Sequence, residues 1–269
     1  MPELPEVETT CRGIAPYLKD HTIKKLIVRQ RQLRWPIPDE AIELNNAKVI
    51  DVRRRAKFVL IDTHRGQLML HLGMSGSLRV LPKDTVVGKH DHVDILLDSD
   101  LVLRYNDPRR FGAVLFSANA DEHPMLGHLG PEPLSDAFNG EVLFARSRRR
   151  SQSVKTFIMD NRTVVGVGNI YAQESLFMAG IHPSRAAGNI SAQRYQVLDE
   201  AIKTVLAKAI QAGGTTLRDF TRADGQPGYF AQSLNVYGRQ GESCLKCGST
   251  LKGTRHGQRS TTYCPQCQR

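Results

Sequence analysis

Four of the five cysteines in this chain lie close to its C-terminal end, in two pairs of identical spacing. The pairs are Cys244-x-x-Cys247 and Cys264-x-x-Cys267, with sixteen residues between them. Each pair can fold into a tight knuckle that offers two thiolates, and two knuckles complete a tetrahedral Zn²⁺ site. Two disulfides are the alternative, but the lack of a visible signal peptide favours a reducing compartment and therefore zinc. Because four sulfurs close the coordination sphere, we expect a structural metal rather than a catalytic one.

The segment between the cysteine pairs predicts a β-hairpin. Residues 251–256 and 259–263 are two short strand candidates, and a His-Gly-Gln sequence joins them. The whole unit is therefore a zinc ribbon, with Arg255, His256 and Arg259 at or near its tip. Arginines at such tips often contact phosphate groups.

The charge balance points to a polyanionic partner. The chain has 37 lysines and arginines against 27 acids, and its isoelectric point is about 9.6. A strongly basic globular protein most often binds nucleic acid. Two basic runs stand out, at 53–57 and 146–155; each alone is typical of a solvated face, but together they suit a groove. No apolar run is long enough for a membrane span, so we expect a cytoplasmic protein.

The rest of the chain divides into a β-rich part and a helical part. Residues 4–18 predict an amphipathic helix, and Cys11 lies on its apolar stripe as a small buried residue. Residues 22–117 contain eight short β-rich runs, which indicate a sandwich or barrel. Helix candidates follow at 135–146, 153–161, 169–179 and 192–212.

The predicted fold class is α+β multidomain. We assign 1–131 to an N-terminal β-sandwich with a leading α-helix, 132–225 to a helical domain, and 226–269 to a loop and the zinc ribbon. The stretch 218–229 reads as a long functional loop.

Two further features have both a bland and a functional interpretation. Gly166-Val-Gly168-Asn169 is either a structural turn or a turn whose amides bind one phosphate at a helix start. Pro2 follows an initiator methionine that is usually trimmed before a small residue, which would leave a free secondary amine beside Glu3. Such an amine is nucleophilic when neutral and can form an iminium, and Glu3 could move protons to the reacting group. A solvated chain start is the alternative.

Five motifs, in order along the whole chain, resemble the bacterial formamidopyrimidine-DNA glycosylase family. They are Pro2-Glu-Leu-Pro-Glu-Val-Glu8, His71-Leu-Gly-Met-Ser-Gly76, Asp107-Pro-Arg-Arg-Phe-Gly112, Val165-Gly-Val-Gly-Asn-Ile-Tyr-Ala172 and the terminal ribbon. The resemblance implies a β-sandwich, a helix–two-turns–helix (H2TH) domain and a zinc ribbon, with duplex DNA in the cleft between them. It also implies removal of oxidised purines such as 8-oxoguanine and formamidopyrimidines, followed by strand cleavage, by a monomeric enzyme.

The resemblance assigns roles residue by residue. Pro2 would be the nucleophile and Glu3 the acid, with Lys57 in β-elimination and Arg259 in δ-elimination. Residues filling the void left by a flipped nucleotide would be Met74, Arg109 and Phe111. DNA contacts would be His90, Arg109, Arg150, Lys155 and Asn169. Position 150 is often lysine in the family, so Arg150 keeps the charge but changes the geometry.

Two other functions remain open at this point. One is a related endonuclease VIII-like glycosylase for oxidised pyrimidines, and the other is a non-catalytic zinc-ribbon protein that binds lesions. Leu4, together with Met74, Arg109 and Phe111, favours the purine enzyme over the first. Pro2, Glu3 and Lys57 argue against the second.

Overall fold

The first unit is a β-sandwich whose strands are preceded by an N-terminal helix. In this computed structural model the described residues are 2–214 and 234–269, so the predicted 218–229 loop lies outside them. The described residues form two units, one of 2–128 with 212–214 and one of 129–211 with 234–269. The predicted domain boundaries stay predictions.

The first unit contains two helices and eight strands. In chain order they are α1 (Leu4–Leu18), β1 (Thr22–Val28), α2 (Asp39–Ile42), β2 (Ala47–Arg55), β3 (Phe58–Thr63), β4 (Gly66–His71), β5 (Ser77–Pro82), β6 (Asp91–Leu97), β7 (Leu101–Asn106) and β8 (Ala113–Ser117). The hydrogen-bonded order is β5-β7-β6-β1-β2-β3-β4-β8, antiparallel throughout.

A short pairing divides this order into two four-stranded layers. β1 meets β2 only at Thr22↔Lys48 and Ile23↔Ala47, whereas the other neighbours pair over longer stretches. The apolar core includes Val7, Cys11 and Ile14 of α1 together with inward-facing strand residues. The predicted sandwich with a leading helix is therefore confirmed, and Cys11 is buried as expected.

The strand boundaries depart from prediction at two of the predicted site residues. Lys57 was expected to open a strand, but β3 begins at Phe58 because Ala56 has a φ of 53° and closes a turn. Phe111 was also expected in a strand, but β8 begins at Ala113, and Phe111 lies in the preceding loop with 46% of its surface exposed. Both residues thus stand in connections at the sheet margin.

The second unit contains four helices and the hairpin. They are α3 (Gly140–Ser147), α4 (Val154–Met159), α5 (Asn169–Met178), α6 (Ala192–Gln211), β9 (Lys252–His256) and β10 (Arg259–Tyr263). The prediction of a helix from Ser135 is wrong, because the extended Asn139 caps α3 by accepting the Val142 N–H at 2.9 Å. The ribbon has its own small core, to which Phe177 of α5 contributes.

No helix in residues 2–214 or 234–269 combines the length and apolarity that crossing a membrane requires.

A buried charge network fixes the connection between β5 and β6. The Arg104 guanidinium donates to both oxygens of Asp94, at 2.8 and 2.9 Å, and to the carbonyls of Thr85 and Val86. Burial alone would raise the pKa of the Asp94 carboxyl, but hydrogen bonds from Arg104 and Arg29 hold it below its ordinary value. Arg104 therefore fixes the backbone of this connection at Thr85 and Val86.

Replacing Asp94 by Ala removes two charge-assisted hydrogen bonds from the buried Arg104 guanidinium and leaves it Asp91, at 3.6 Å, as its ion-pair partner, so we expect a loss of about 3 kcal/mol in the free energy of unfolding. Since the pKa of Asp94 is lowered in the folded state, its contribution is full at neutral pH and is lost as pH falls through that lowered value. Urea unfolding at several pH values measures both effects. Asp51→Ala, which removes an exposed ion pair with Lys19, is the control and should change little. Equal stability of the two variants at pH 7 would contradict the assignment.

Candidate active site and nucleic-acid interface

The chain start is held in place rather than solvated. Pro2 and Glu3 are both buried, and Glu3 is the N-cap residue of α1. The Glu6 carboxylate accepts the Glu3 backbone N–H at 2.8 Å, and Pro5 occupies the first turn, where its missing N–H costs nothing. The local sequence thus places the predicted nucleophile and acid at one fixed point.

Lys57 follows a turn that is tied to the same helix. Arg54 donates to the Ala56 carbonyl at 3.0 Å and to the Glu8 carboxylate of α1 at 2.9 Å. α1 packs against β2 and β3, the two strands that this turn joins. The predicted catalytic residues Pro2, Glu3 and Lys57 therefore lie at the ends of elements that pack against one another, namely α1, β2 and β3.

Asp107 organises the two loops that carry the predicted void-filling residues. Its carboxylate accepts the Ser75 hydroxyl at 2.8 Å and the Gly112 N–H at 2.9 Å, and the Arg109 N–H lies at 3.3 Å. Tyr105 donates its hydroxyl to the same carboxylate at 3.3 Å. One fully buried side chain thus holds both the 72–76 loop and the 107–112 loop.

Glycines allow these loops to touch. A Cβ on Gly112 would lie 1.8 Å from the Tyr105 hydroxyl oxygen, and one on Gly73 would lie 2.4 Å from the Gly112 nitrogen. Gly73 also has a φ of 61°, which side chains rarely adopt. Met74 is half-buried, whereas Arg109 is exposed with its guanidinium carbon 4.8 Å from the centre of the Phe111 ring. The structure therefore brings Met74, Arg109 and Phe111 together on adjacent loops.

His71, at the base of the 72–76 loop, is electrically neutral near pH 7. Burial, and then the nearby charges of Lys57 and Arg34, lower the pKa of His71 to about 4. Its Nδ1 accepts the Gly73 N–H at 3.1 Å, which requires an unprotonated nitrogen. The histidine thus supports the loop without adding charge.

His90 joins this group through the backbone. Its carbonyl accepts the Asp107 N–H at 3.0 Å, and its side chain is half-buried. The predicted DNA contact is therefore anchored to the same turn as Arg109.

In the second unit, the predicted DNA contacts differ in their exposure. Asn169 is half-buried at the start of α5, after a turn in which Gly166 has a φ of 79°. Lys155 is fully buried, and its Nζ donates to Asn169 Oδ1 at 2.6 Å, Thr261 Oγ1 at 2.7 Å and the Ser260 carbonyl at 3.1 Å. The Lys155 ammonium therefore lies inside the protein, bonded to Asn169 and β10, and not at the surface where a DNA contact was expected.

Arg150 and Arg259 each line a recess of the second unit. Arg150 is exposed beside a cavity of about 280 Å³ that Arg146 and Arg162 also line. Arg259 opens β10, pairs with His256 across the hairpin and faces a cleft of about 370 Å³ beside α4. The first recess offers three guanidinium groups and the second offers one, and phosphate binds such groups.

The four cysteines converge as the spacing predicts. Their sulfur atoms lie within 4.8 Å of one another, with Cys247 and Cys264 at 3.4 Å and Cys244 and Cys267 at 3.9 Å. These distances exclude disulfides and approach the edge of a tetrahedron of thiolates around Zn²⁺. The donor set is soft and closed, so it fits a structural zinc ion.

Sequence reasoning missed the buried polar residues that join the ribbon to the helices. The Glu174 carboxylate accepts the backbone N–H groups of Asn235, Val236 and Tyr237, each at 2.9 Å. Gln173 bonds both Asn169 and β10. The available signal was a run of polar residues, 173–175, in a helix with an otherwise apolar sequence.

The chain combines a β-sandwich in which Pro2 is buried, a helical part, and a ribbon whose four cysteines fit one structural zinc ion. These features define a multidomain zinc protein. Three family models match the chain: the formamidopyrimidine-DNA glycosylase N-terminal domain over 1–114, its H2TH domain over 129–221, and the zinc finger found in FPG and IleRS over 241–269. The chain belongs to the formamidopyrimidine-DNA glycosylase family.

Relatives match along their entire length. The formamidopyrimidine-DNA glycosylases of Alcanivorax borkumensis and Pseudomonas aeruginosa are 67% and 59% identical, with all of both chains covered. The crystal structure of the MutM (Fpg) protein of Thermus thermophilus superposes with a TM-score of 0.89 at 35% identity, over 99% of this chain and 98% of that one. Lactococcus lactis Fpg in complex with DNA containing an abasic site gives 0.90 at 29% identity, over 99% of each chain.

Asp107→Ala removes the acceptor shared by the two loops, so we expect stability to fall by about 2–4 kcal/mol and lesion-DNA affinity to fall with it. Denaturant unfolding and fluorescence anisotropy measure the two effects. Asp84→Ala, at an exposed carboxylate of the same unit, is the control. Wild-type affinity in Asp107→Ala would show that the loops do not need the clamp.

Removing zinc should unfold the ribbon and weaken DNA binding while the β-sandwich stays folded, because the four thiols then lose their shared cation. Hydrogen exchange after chelation should become fast in 252–263 and stay slow in the strands of the first unit. Cys11→Ala should retain one zinc per chain. Undiminished DNA binding after zinc loss would contradict the role assigned to Arg259 on the hairpin.

Proposed function

We propose that this protein is a base-excision repair enzyme that removes oxidised purines, such as 8-oxoguanine and formamidopyrimidines, from duplex DNA and then cleaves the strand. Membership of the family supports a glycosylase with abasic-site lyase activity. The observation that carries the proposal is the buried Pro2-Glu3 start of α1, fixed by Glu6 in a chain related to these enzymes over its full length.

Chemistry begins at the nitrogen of Pro2. Once Met1 has been removed, the neutral secondary amine attacks C1′ of the deoxyribose as the glycosidic bond breaks, and the damaged base leaves with the bonding electrons. Glu3 supplies and removes protons at the reacting sugar. Loss of the amine proton and opening of the sugar ring give an iminium between Pro2 and C1′.

The iminium draws electrons from C2′ and makes its hydrogens acidic. Removal of one of them expels the 3′-phosphate, and Lys57 serves this β-elimination from the turn before β3. A δ-elimination then releases the 5′-phosphate and leaves a one-nucleotide gap, with Arg259 serving this step. Both side chains are cations and stabilise the departing phosphates.

Base removal requires the damaged nucleotide to leave the stack, at a cost of a few kcal/mol. Met74, Arg109 and Phe111 fill the resulting void. The exposed Phe111 ring is suited to wedging between base steps, and the Arg109 guanidinium stacked on it can hydrogen-bond the orphaned partner base. The Asp107 clamp prevents these loops from collapsing when they displace a base.

Phosphate contacts hold the duplex. We assign them to His90 and Arg109 in the first unit and to Arg150 and Asn169 in the second, with Lys155 acting on Asn169 from within. Binding by several such groups releases counterions, so affinity falls steeply with salt. The partner is double-stranded DNA with oxidised bases or abasic sites, bound by a monomer in the bacterial cytoplasm.

Borohydride trapping tests the activity. On a duplex with one 8-oxoguanine, the wild type should form a covalent adduct, and Pro2→Gly should form far less because it lacks the secondary amine. Pro16→Ala, at an exposed proline of the same helix, should trap like the wild type. No wild-type adduct would favour a non-catalytic lesion-binding protein. Faster trapping on thymine glycol would favour the pyrimidine enzyme.

A molecule that keeps Met1 separates binding from chemistry. Its Pro2 nitrogen is an amide and cannot form an iminium, so it should bind lesion DNA and give no adduct. Anisotropy and trapping on the same preparation measure the two properties. An adduct from protein shown by mass to retain Met1 would contradict the nucleophile assignment.

A further inference from the structure

Gln173 is a buried amide that the proposed chemistry leaves without a role. It lies on α5 and is 2% exposed. Its Nε2 donates to the Asn169 carbonyl at 2.8 Å, to Asn169 Oδ1 at 3.2 Å and to the Ser260 carbonyl at 3.3 Å. Its Oε1 accepts the Thr262 N–H at 2.6 Å. One side chain thus bonds the start of α5 and strand β10 at the same time.

These bonds determine how the Asn169 amide is oriented. Both side chains that meet its Oδ1, the Lys155 ammonium and the Gln173 amide nitrogen, are donors, so the carbonyl edge must face them. The Nδ2 hydrogens then lie on the opposite edge of the planar amide. Asn169 therefore presents a donor edge of fixed direction beside the helix start, where an anion is favoured.

The same bonds fix the strand that carries Arg259. Ser260 and Thr262 lie one and three residues after Arg259 on β10, and Gln173 bonds the carbonyl of the first and the N–H of the second. Lys155 adds the Ser260 carbonyl and the Thr261 hydroxyl. Hydrogen bonds in such a desolvated network are strong and leave little freedom to the strand.

We propose that Gln173 is a positioning residue that couples the Asn169 turn to the Arg259 hairpin, so that two phosphate-binding groups keep one fixed geometry. This inference rests on the proposed function. Gln173 acts on DNA only through Asn169 and Arg259. Its loss should therefore remove a phosphate contact and slow δ-elimination, while iminium formation at Pro2 continues.

Gln173→Leu and Gln173→Glu test the proposal together. Leu keeps the approximate size but makes no hydrogen bond, and Glu keeps an acceptor for Thr262 but cannot donate to Asn169 or Ser260. Both should weaken binding of lesion DNA about 3- to 30-fold, flatten the slope of log affinity against log salt by about one, and raise the share of β- over β,δ-elimination product. Gln193→Leu, at an exposed glutamine of α6, is the matched control.

A double-mutant cycle separates positioning from general structure. Since Gln173 acts in part through Asn169, Gln173→Leu should weaken affinity less in an Asn169→Ala background than in the wild type, and the effect that remains is its action through Arg259. Zinc content and thermal unfolding verify the fold of each variant. If Gln173→Leu loses zinc, the same comparison is made with Gln173→Glu.

The inference would be overturned if the effects of Gln173→Leu and Asn169→Ala on affinity were additive and the salt slope and product ratio were unchanged. A borohydride adduct from the wild type would still leave the enzyme assignment intact. Failure of the wild type to form that adduct would instead overturn the proposed function.

Discussion

Buried polar side chains with satisfied hydrogen bonds hold the loops on which the proposed chemistry depends. Asp107 holds the two loops of the first unit that carry the proposed void-filling residues. Gln173 and Lys155 hold the turn at Asn169 and the hairpin of the second unit. Leaving such a group unpaired in a desolvated place costs far more than a surface contact returns. The exposed residues therefore keep their geometry without bound DNA, and a nucleic acid ligand meets a surface that is already formed.

The residues that fix the loops are therefore different from the residues that we propose contact DNA. The side chains that we propose act on DNA, Phe111, Arg109, Arg150 and Arg259, are exposed, and each follows a turn or precedes a strand. Pro2 is the exception, since it is itself buried at the start of α1. The net positive charge attracts DNA at long range, and the fixed phosphate-binding groups set the position of the protein along the duplex.

The sequence predicted the zinc ribbon and the sandwich well because both follow from local patterns. Paired cysteines define a metal site by spacing alone, and alternating strands are read from period-two burial. It failed at single turn and cap residues, and where a distant partner decides the outcome. The left-handed Ala56 moves Lys57 out of its strand, Asn139 starts α3 late, and Lys155 is buried although a lysine in a basic run suggests a surface contact. Gln173 and Asp107 owe their importance to residues far along the chain, which no local pattern reveals.

The central claim is that the Pro2 nitrogen forms the covalent link to DNA, and locating the reduced adduct tests it most directly. After borohydride reduction on 8-oxoguanine duplex, nuclease and trypsin digestion should leave the sugar remnant on the peptide that begins at Pro2 and ends at Arg12. Fragment masses should place it on the proline nitrogen. A remnant on Lys57, or on any other lysine, would contradict the account.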